Sequence, residues 1–192
     1  MRLTRDLKDI EAAQRLRYQV FYEEFAAKPD SQKALARLDF DDFDAYADHL
    51  VVIDHSRKDK IVGTYRLLKE SDAKKIGQFY SSDEYDLSPL LNSGHNLLEL
   101  GRSCVLPEYR TKPVLNLLWE GIAEYVANNN IGLLFGCASL HSTDIKSISR
   151  PLSYLHHYHL APKEIRPRAL KGEYINMNII PKDEFEAKRG FN

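Results

Sequence analysis

The sequence is short of several things, and each shortage removes a class of protein. It holds only two cysteines, Cys104 and Cys137, too few for a disulfide framework. Met1-Arg2-Leu3-Thr4-Arg5-Asp6 has no apolar core of the kind that begins a secretion signal, and no window approaches the ~20 apolar residues that span a bilayer. The expected compartment is the cytoplasm, with any membrane contact peripheral to the inner membrane. Charge of one sign is not in excess, since 27 basic side chains stand against 28 acidic ones. No nucleic-acid partner is expected, and a charged partner must be met by a local patch. The acidic residues have no His or Cys at ligand spacing beside them, so no metal site is expected either.

What remains is a globular composition, 43% hydrophobic and 29% charged over 192 residues. That length suits one domain with a substantial core. The chain is organised around Asn96 to Asn130. Asn96 to Val105 reads as a buried strand that carries Glu99 and Arg102, and charges in such a place need a reason. Leu106 to Pro113 breaks the strand. Leu117, Leu118, Ile122, Tyr125 and Val126 then recur at helical spacing, with Pro113 at the helix start where its missing N–H costs nothing. Free amides at such a start favour an anion, and Arg110 and Lys112 stand just before it.

Either side of this stretch the pattern continues. Asp9 to Phe25 reads as an amphipathic helix with Arg17 near its apolar stripe and Phe21 as pocket wall or core. Ala26 to Leu38 is a polar excursion. Asp39 to Asp48 packs five carboxylates into ten residues, either a solvated loop or a face for a cationic substrate. Leu50–Asp54 and Lys60–Leu68 form a hairpin, with Arg66 on the face of Thr64 and Leu68. Ser71 to Ser93 reads as an insertion with one short helix. Leu133 to Leu140 is the next buried strand, and short helices follow Ser142 and Pro151. Lys163 to Lys171 is the most basic stretch, suited to an acidic carrier protein or to anionic lipid headgroups. Tyr174 to Ile180 reads as a final strand.

Val105-Leu106-Pro107-Glu108-Tyr109-Arg110 leading into a helix resembles the acyl-thioester segment of the GNAT acyltransferases, although Thr111-Lys112-Pro113-Val114-Leu115 replaces the usual glycine-rich turn. Glu99-Leu100-Gly101-Arg102 resembles the Glu-x-x-Arg of acyl-homoserine lactone synthases. The ordered set Leu16 to Phe21, Gly63 to Leu68, Leu98 to Val105, Gly136 to Ser139 and Leu152 to His157 is similar to the bacterial L-ornithine N(alpha)-acyltransferases. The resemblance implies an α/β fold of the α+β kind, a mixed and mostly antiparallel sheet with splayed middle strands flanked by helices. It implies N-acylation of ornithine by a (3-hydroxy)acyl group, giving lyso-ornithine lipid. The donor would be the phosphopantetheine thioester of acyl carrier protein, with coenzyme A thioester as the alternative and no permanently bound cofactor. The alternatives are an acetyltransferase or lactone synthase with another acceptor, and a non-catalytic module binding carrier protein or lipid. Members of that family continue past Asn192, so residues 1–192 are expected to form one domain truncated at its C-terminus.

Acylating an amine needs a base, a polarised thioester carbonyl and dry surroundings. Glu99 is the expected general base, with Arg66 and Arg102 completing the catalytic group. Strict alternation sends Glu99 and Arg102 to opposite faces unless a bulge at Gly101 intervenes. A backbone N–H between Cys104 and Leu106 is the expected oxyanion donor. Cys104 or Cys137 as nucleophile is the rival mechanism, and Tyr154 or a neighbouring histidine could protonate the leaving thiolate. Arg17, Phe21, Asp42, Asp44 and Asp48 are expected to bind the amino-acid substrate. Val105, Arg110, Lys112, Val114 and Leu115 are expected to hold the phosphopantetheine arm.

Overall fold

The computed structural model describes residues 1–140 and 142–187. In chain order the elements are β1 (Arg2–Thr4), α1 (Leu7–Tyr18), a π-helical run (Gln19–Glu24), α2 (Ser31–Ala36), β2 (Asp48–Asp54), β3 (Lys60–Lys69), α3 (Glu70–Ile76), β4 (Tyr85–Asp86), α4 (Ser88–Leu91), β5 (Leu97–Val105), α5 (Lys112–Asn128), β6 (Leu133–Phe135), α6 (Ser149–Tyr158), β7 (Arg168–Ala169) and α7 (Lys182–Ala187). They fall into two compact units, Met1–Tyr80 with His95–Cys137, and Ser81–Gly94 with Ala138–Asn192.

The first unit is a five-stranded sheet in the order β1-β2-β3-β5-β6. Its first three pairings are antiparallel and the last, β5 with β6, is parallel. This is the mixed, mostly antiparallel sheet expected. One face packs on α1, whose start is capped by Asp6 accepting from the Lys8 N–H at 2.8 Å. Ile10, Ala13, Leu16 and Val20 are buried at helical spacing. The expected helix to Phe25 does not stay α-helical: from Gln19 it widens, and Phe25 N–H reaches back five residues to the Val20 carbonyl. The other face packs on α5, which buries Leu118, Ile122 and Tyr125. A Cβ on Gly121 would stand 2.7 Å from a Leu50 methyl carbon, so glycine sets how closely α5 lies on the sheet.

The second unit holds a two-stranded antiparallel ribbon, β4 with β7, and the helices α4, α6 and α7. Tyr174 to Ile180, expected as a final strand, pairs with no strand; within this unit the ladder forms instead between Asp86 and Arg168 and between Tyr85 and Ala169. A β-rich composition becomes a strand only where a partner edge is within reach. The insertion from Ser71 is richer than expected, since β4 and two helical turns follow α3.

Candidate active site

The site grows from one irregularity in β5. Arg66 pairs with Gly101, and Thr64 with Cys104, so the single residue Tyr65 stands opposite Arg102 and Ser103. This is a bulge. Arg102 takes it up with φ of 50°, the left-handed region that side chains avoid unless the surroundings hold them there. Alternation is thereby broken between Glu99 and Arg102, and both side chains gather at the face occupied by Arg66.

The meeting point is Tyr80, which lies in the Ser71 to Ser93 insertion. Its backbone N–H donates to Glu99 Oε2 at 2.8 Å. Its ring lies 4.9 Å from the Arg102 guanidinium carbon and 5.5 Å from that of Arg66, cation–π distances, and edge-on to Phe43 at 5.7 Å. Glu99 is buried at 3% exposure.

Behind Tyr80 lies a closed network of three arginines and three aspartates. Arg17 donates to Asp39 Oδ2 at 2.9 Å and to Asp44 Oδ2 at 2.6 Å. Arg66 bridges Asp41 and Asp44, the second at 3.1 Å. Arg102 lies 3.2 Å from Asp41 and 3.5 Å from Asp39. Gln14 and Tyr22 donate to Asp44 and Asp39 at 2.9 and 2.8 Å. Burial alone would raise the Asp44 carboxyl, but the guanidinium groups of Arg17 and Arg66 outweigh it and hold the acid well below the usual carboxylate range. His49, buried beside Asp44, donates from Nε2 to its carbonyl at 3.0 Å and is kept neutral by burial.

Several expectations change here. Asp42, Asp44 and Asp48 do not form one acidic pocket. Asp42 is exposed, Asp44 is enclosed by arginines, and Asp48 lies on the α5 face with Arg5 and with the Tyr125 hydroxyl at 2.6 Å. Asp44 lies in a helical turn before β2 and Asp48 is the first residue of the strand, a separation that a one-dimensional count of acids does not reveal. Arg17, expected to touch substrate, is fully buried and engaged with Asp39 and Asp44. Phe21 packs half-buried against the core. The acids that hold the arginines, Asp39 and Asp41, belonged to the noted run. The signal that singles them out is three arginines in apolar patterns, which need equal opposite charge nearby.

At the donor side, β5 and β6 pair only from Leu97 with Leu133 to Glu99 with Phe135. Gly136 then lies so close to Leu100 that a Cβ would stand 2.1 Å from its carbonyl oxygen; the glycine serves strand packing. β5 runs on to Val105 without β6. Leu106 N–H donates to the Val62 carbonyl at 2.9 Å. By alternation Val105 therefore directs its N–H and C=O to the opposite edge, and its carbonyl accepts from Arg110 Nε at 3.1 Å. Arg110 also holds Glu24 with two bonds of 2.6 Å, so its guanidinium is engaged by protein rather than open to a phosphate. Lys112 and Leu115 are exposed in the first turn of α5, and Val114 packs beside Gly63 and Val105. Cys104 is buried, which pushes its thiol well above the range of a nucleophile.

Comparison with known proteins gives this arrangement its class. A family profile described as acetyltransferase (GNAT) domain matches residues 16–120, and the protein is an acyltransferase of that superfamily. The solved AHL synthase LasI shares the fold, with a TM-score of 0.50 and 14% identity over 79% of this chain and 76% of that one. The chain belongs to the L-ornithine N(alpha)-acyltransferase family. The protein of that name from Rhodobacter capsulatus is 44% identical over 98% of this chain and 73% of its own length, and the one from Brucella abortus 42% identical over 98% and 69%.

Proposed function

We propose that the protein moves a 3-hydroxyacyl group from the phosphopantetheine thioester of acyl carrier protein to the α-amino group of ornithine, giving lyso-ornithine lipid. The supporting observation is kinship at 44% identity to an L-ornithine N(alpha)-acyltransferase, joined to a buried carboxylate, Glu99, at the last pair before β5 continues without β6. In this reading Glu99 takes a proton from the ornithine ammonium, and the freed amine attacks the thioester carbonyl. The C–N bond forms, the C–S bond breaks, and the thiolate leaves and is reprotonated. Val105 N–H is the donor to the oxyanion. Arg66 acts as a positioning residue through Tyr80 and Asp41. Arg102, the most open of the three arginines at 21% side-chain exposure, meets the substrate carboxylate, and Asp42 meets the side-chain ammonium.

The donor assignment rests on what the turn before α5 offers. Thr111 to Leu115 has no glycine to bring backbone amides round a pyrophosphate, and Arg110 is tied to Glu24. Lys112 and the first amides of α5 match the one phosphodiester of a carrier-protein arm better than the pyrophosphate and ribose phosphate of coenzyme A.

The test supplies one 3-hydroxyacyl chain on acyl carrier protein or on coenzyme A, with ornithine, norvaline and lysine as acceptors, and identifies products by mass spectrometry. Nα-acylornithine formed from the carrier-protein donor is the expected result. Acylation of another amine, or exclusive use of coenzyme A, would replace this reading with that of a different acyltransferase.

A further inference from the structure

The widened end of the first helix delivers a carboxylate to the turn before α5. From Gln19 to Glu24 the ladder is π-helical, with Phe25 N–H on the Val20 carbonyl at 3.1 Å and Ala27 N–H on the Phe21 carbonyl at 3.0 Å. Ala26, just past the run, has φ of 57°, which a side chain adopts only where its surroundings hold it. Such widened turns re-aim the residues that follow them and recur at functional sites. Two acids leave this run with separate partners: Glu23 pairs with Arg37 and Glu24 with Arg110.

The Glu24–Arg110 pair accounts for every nitrogen of the guanidinium. Nε donates to the Val105 carbonyl at 3.1 Å, and Nη1 and Nη2 donate to the two Glu24 oxygens at 2.6 Å each. The guanidinium carbon lies 5.3 Å from the Phe25 ring centroid. The other acid of the turn, Glu108, stands 3.7 Å from Lys60, so Glu24 is the carboxylate set on Arg110. α5 begins two residues later, at Lys112, and its N-cap Thr111 makes no side-chain cap bond to the first amides. A helix start of 17 residues, uncapped and preceded by an arginine, is where an anion would settle. Glu24 opposes that by taking the fork that would otherwise grip a phosphate with two bonds.

We propose that Glu24 is a donor-specificity residue, which disfavours coenzyme A thioesters by occupying Arg110 and setting a carboxylate beside the phosphate site. This rests on the carrier-protein reading given above and supplies its discriminating element. The pyrophosphate and ribose phosphate of coenzyme A must either displace Glu24 or lie against its charge. The single phosphodiester of a carrier-protein arm is met by Lys112 and the first amides of α5, with no demand on Arg110. Rejection by a misplaced like charge is how a site separates two ligands that share a reactive end.

The test measures transfer of one 3-hydroxyacyl chain to saturating ornithine, from coenzyme A and from acyl carrier protein, by the parent, Glu24→Gln, and Glu24→Gln with Arg110→Gln. Glu24→Gln should lower KM for the coenzyme A thioester by about tenfold, with kcat little changed and a smaller effect on KM for the carrier-protein donor. The gain should shrink at high salt and disappear in the double variant. Coenzyme A alone, titrated calorimetrically, should bind Glu24→Gln more tightly than the parent. A pair that served only to pin the π-helical run would change both donors alike and lower the melting temperature instead. A donor preference untouched by Glu24→Gln, or a gain that persists in the double variant, overturns the assignment. Exclusive use of coenzyme A by the parent overturns the carrier-protein reading itself, and with it the discrimination that Glu24 is proposed to provide.

Discussion

Arg66 faces Gly101 across the β3–β5 ladder, and its Nε would lie 4.0 Å from a Cβ placed on that glycine. The next residue, Arg102, leaves regular strand geometry with φ of 50°. The pairing and the bulge together put two guanidinium groups over the Tyr80 ring while its backbone N–H holds Glu99. A carboxylate held in this way has a fixed direction, which a general base needs more than a particular neighbour.

Tyr80 is therefore expected to act by position. Tyr80→Phe keeps the ring between the arginines and the N–H on Glu99, and should retain most of the activity. Tyr80→Ala removes the ring and should lower kcat by about tenfold or more, as loss of orientation does, with a smaller effect on KM. Equal kinetics for the two variants would separate the ring from the chemistry.

The arginine–aspartate network predicts how acid unfolds the protein. Asp44 is held below its unfolded value near 3.9. Its contribution is thus fully present above that pH and is lost as pH falls toward the lower folded value. Asp44→Asn should cost about 3–5 kcal/mol, because Arg17 and Arg66 stay buried with less opposing charge. It should also flatten the fall in stability below pH 4. Urea melts across that range check both; an unchanged acid limb would mean that other carboxylates set it.

Gly136→Ala tests the geometry where β5 and β6 meet their limit. A Cβ at 2.1 Å from the Leu100 carbonyl oxygen cannot be accommodated without moving backbone. The variant should melt several degrees lower, as a loss of ~1–3 kcal/mol by overpacking implies. A melting temperature equal to the parent would show that these strands part freely.

Cys104→Ala should leave acyl transfer within about threefold of the parent, because burial keeps the thiol protonated and out of reach. A covalent acyl adduct trapped on Cys104 by mass spectrometry would contradict this.

The strand, turn and helix from Leu97 to Asn128 were legible because their signals are local: an apolar run, a proline, then helical spacing. The bulge was legible as a condition, since only it reconciles Glu99 and Arg102. What holds the site was not. Arg17 finds Asp39 22 residues away and Arg102 finds Asp41 61 residues away, and no periodicity relates such positions. The acids at 39 and 41 looked like the solvated part of a run whose members 44 and 48 turn to different faces of the sheet. The bond between Tyr80 and Glu99 was hidden for another reason: it is made by a backbone N–H, which carries no side-chain signature. The apolar run at Tyr174 had strand composition without an edge to pair with.

The most direct measurement is thiol release from a 3-hydroxyacyl thioester with ornithine as acceptor, by the parent and by Glu99→Gln, at saturating donor and across neutral pH. Removal of a general base costs roughly 10²-fold or more. The account predicts that loss in kcat for the variant, with the donor still bound and the fold intact by circular dichroism. Turnover by Glu99→Gln near that of the parent at neutral pH would contradict it and remove Glu99 from the mechanism.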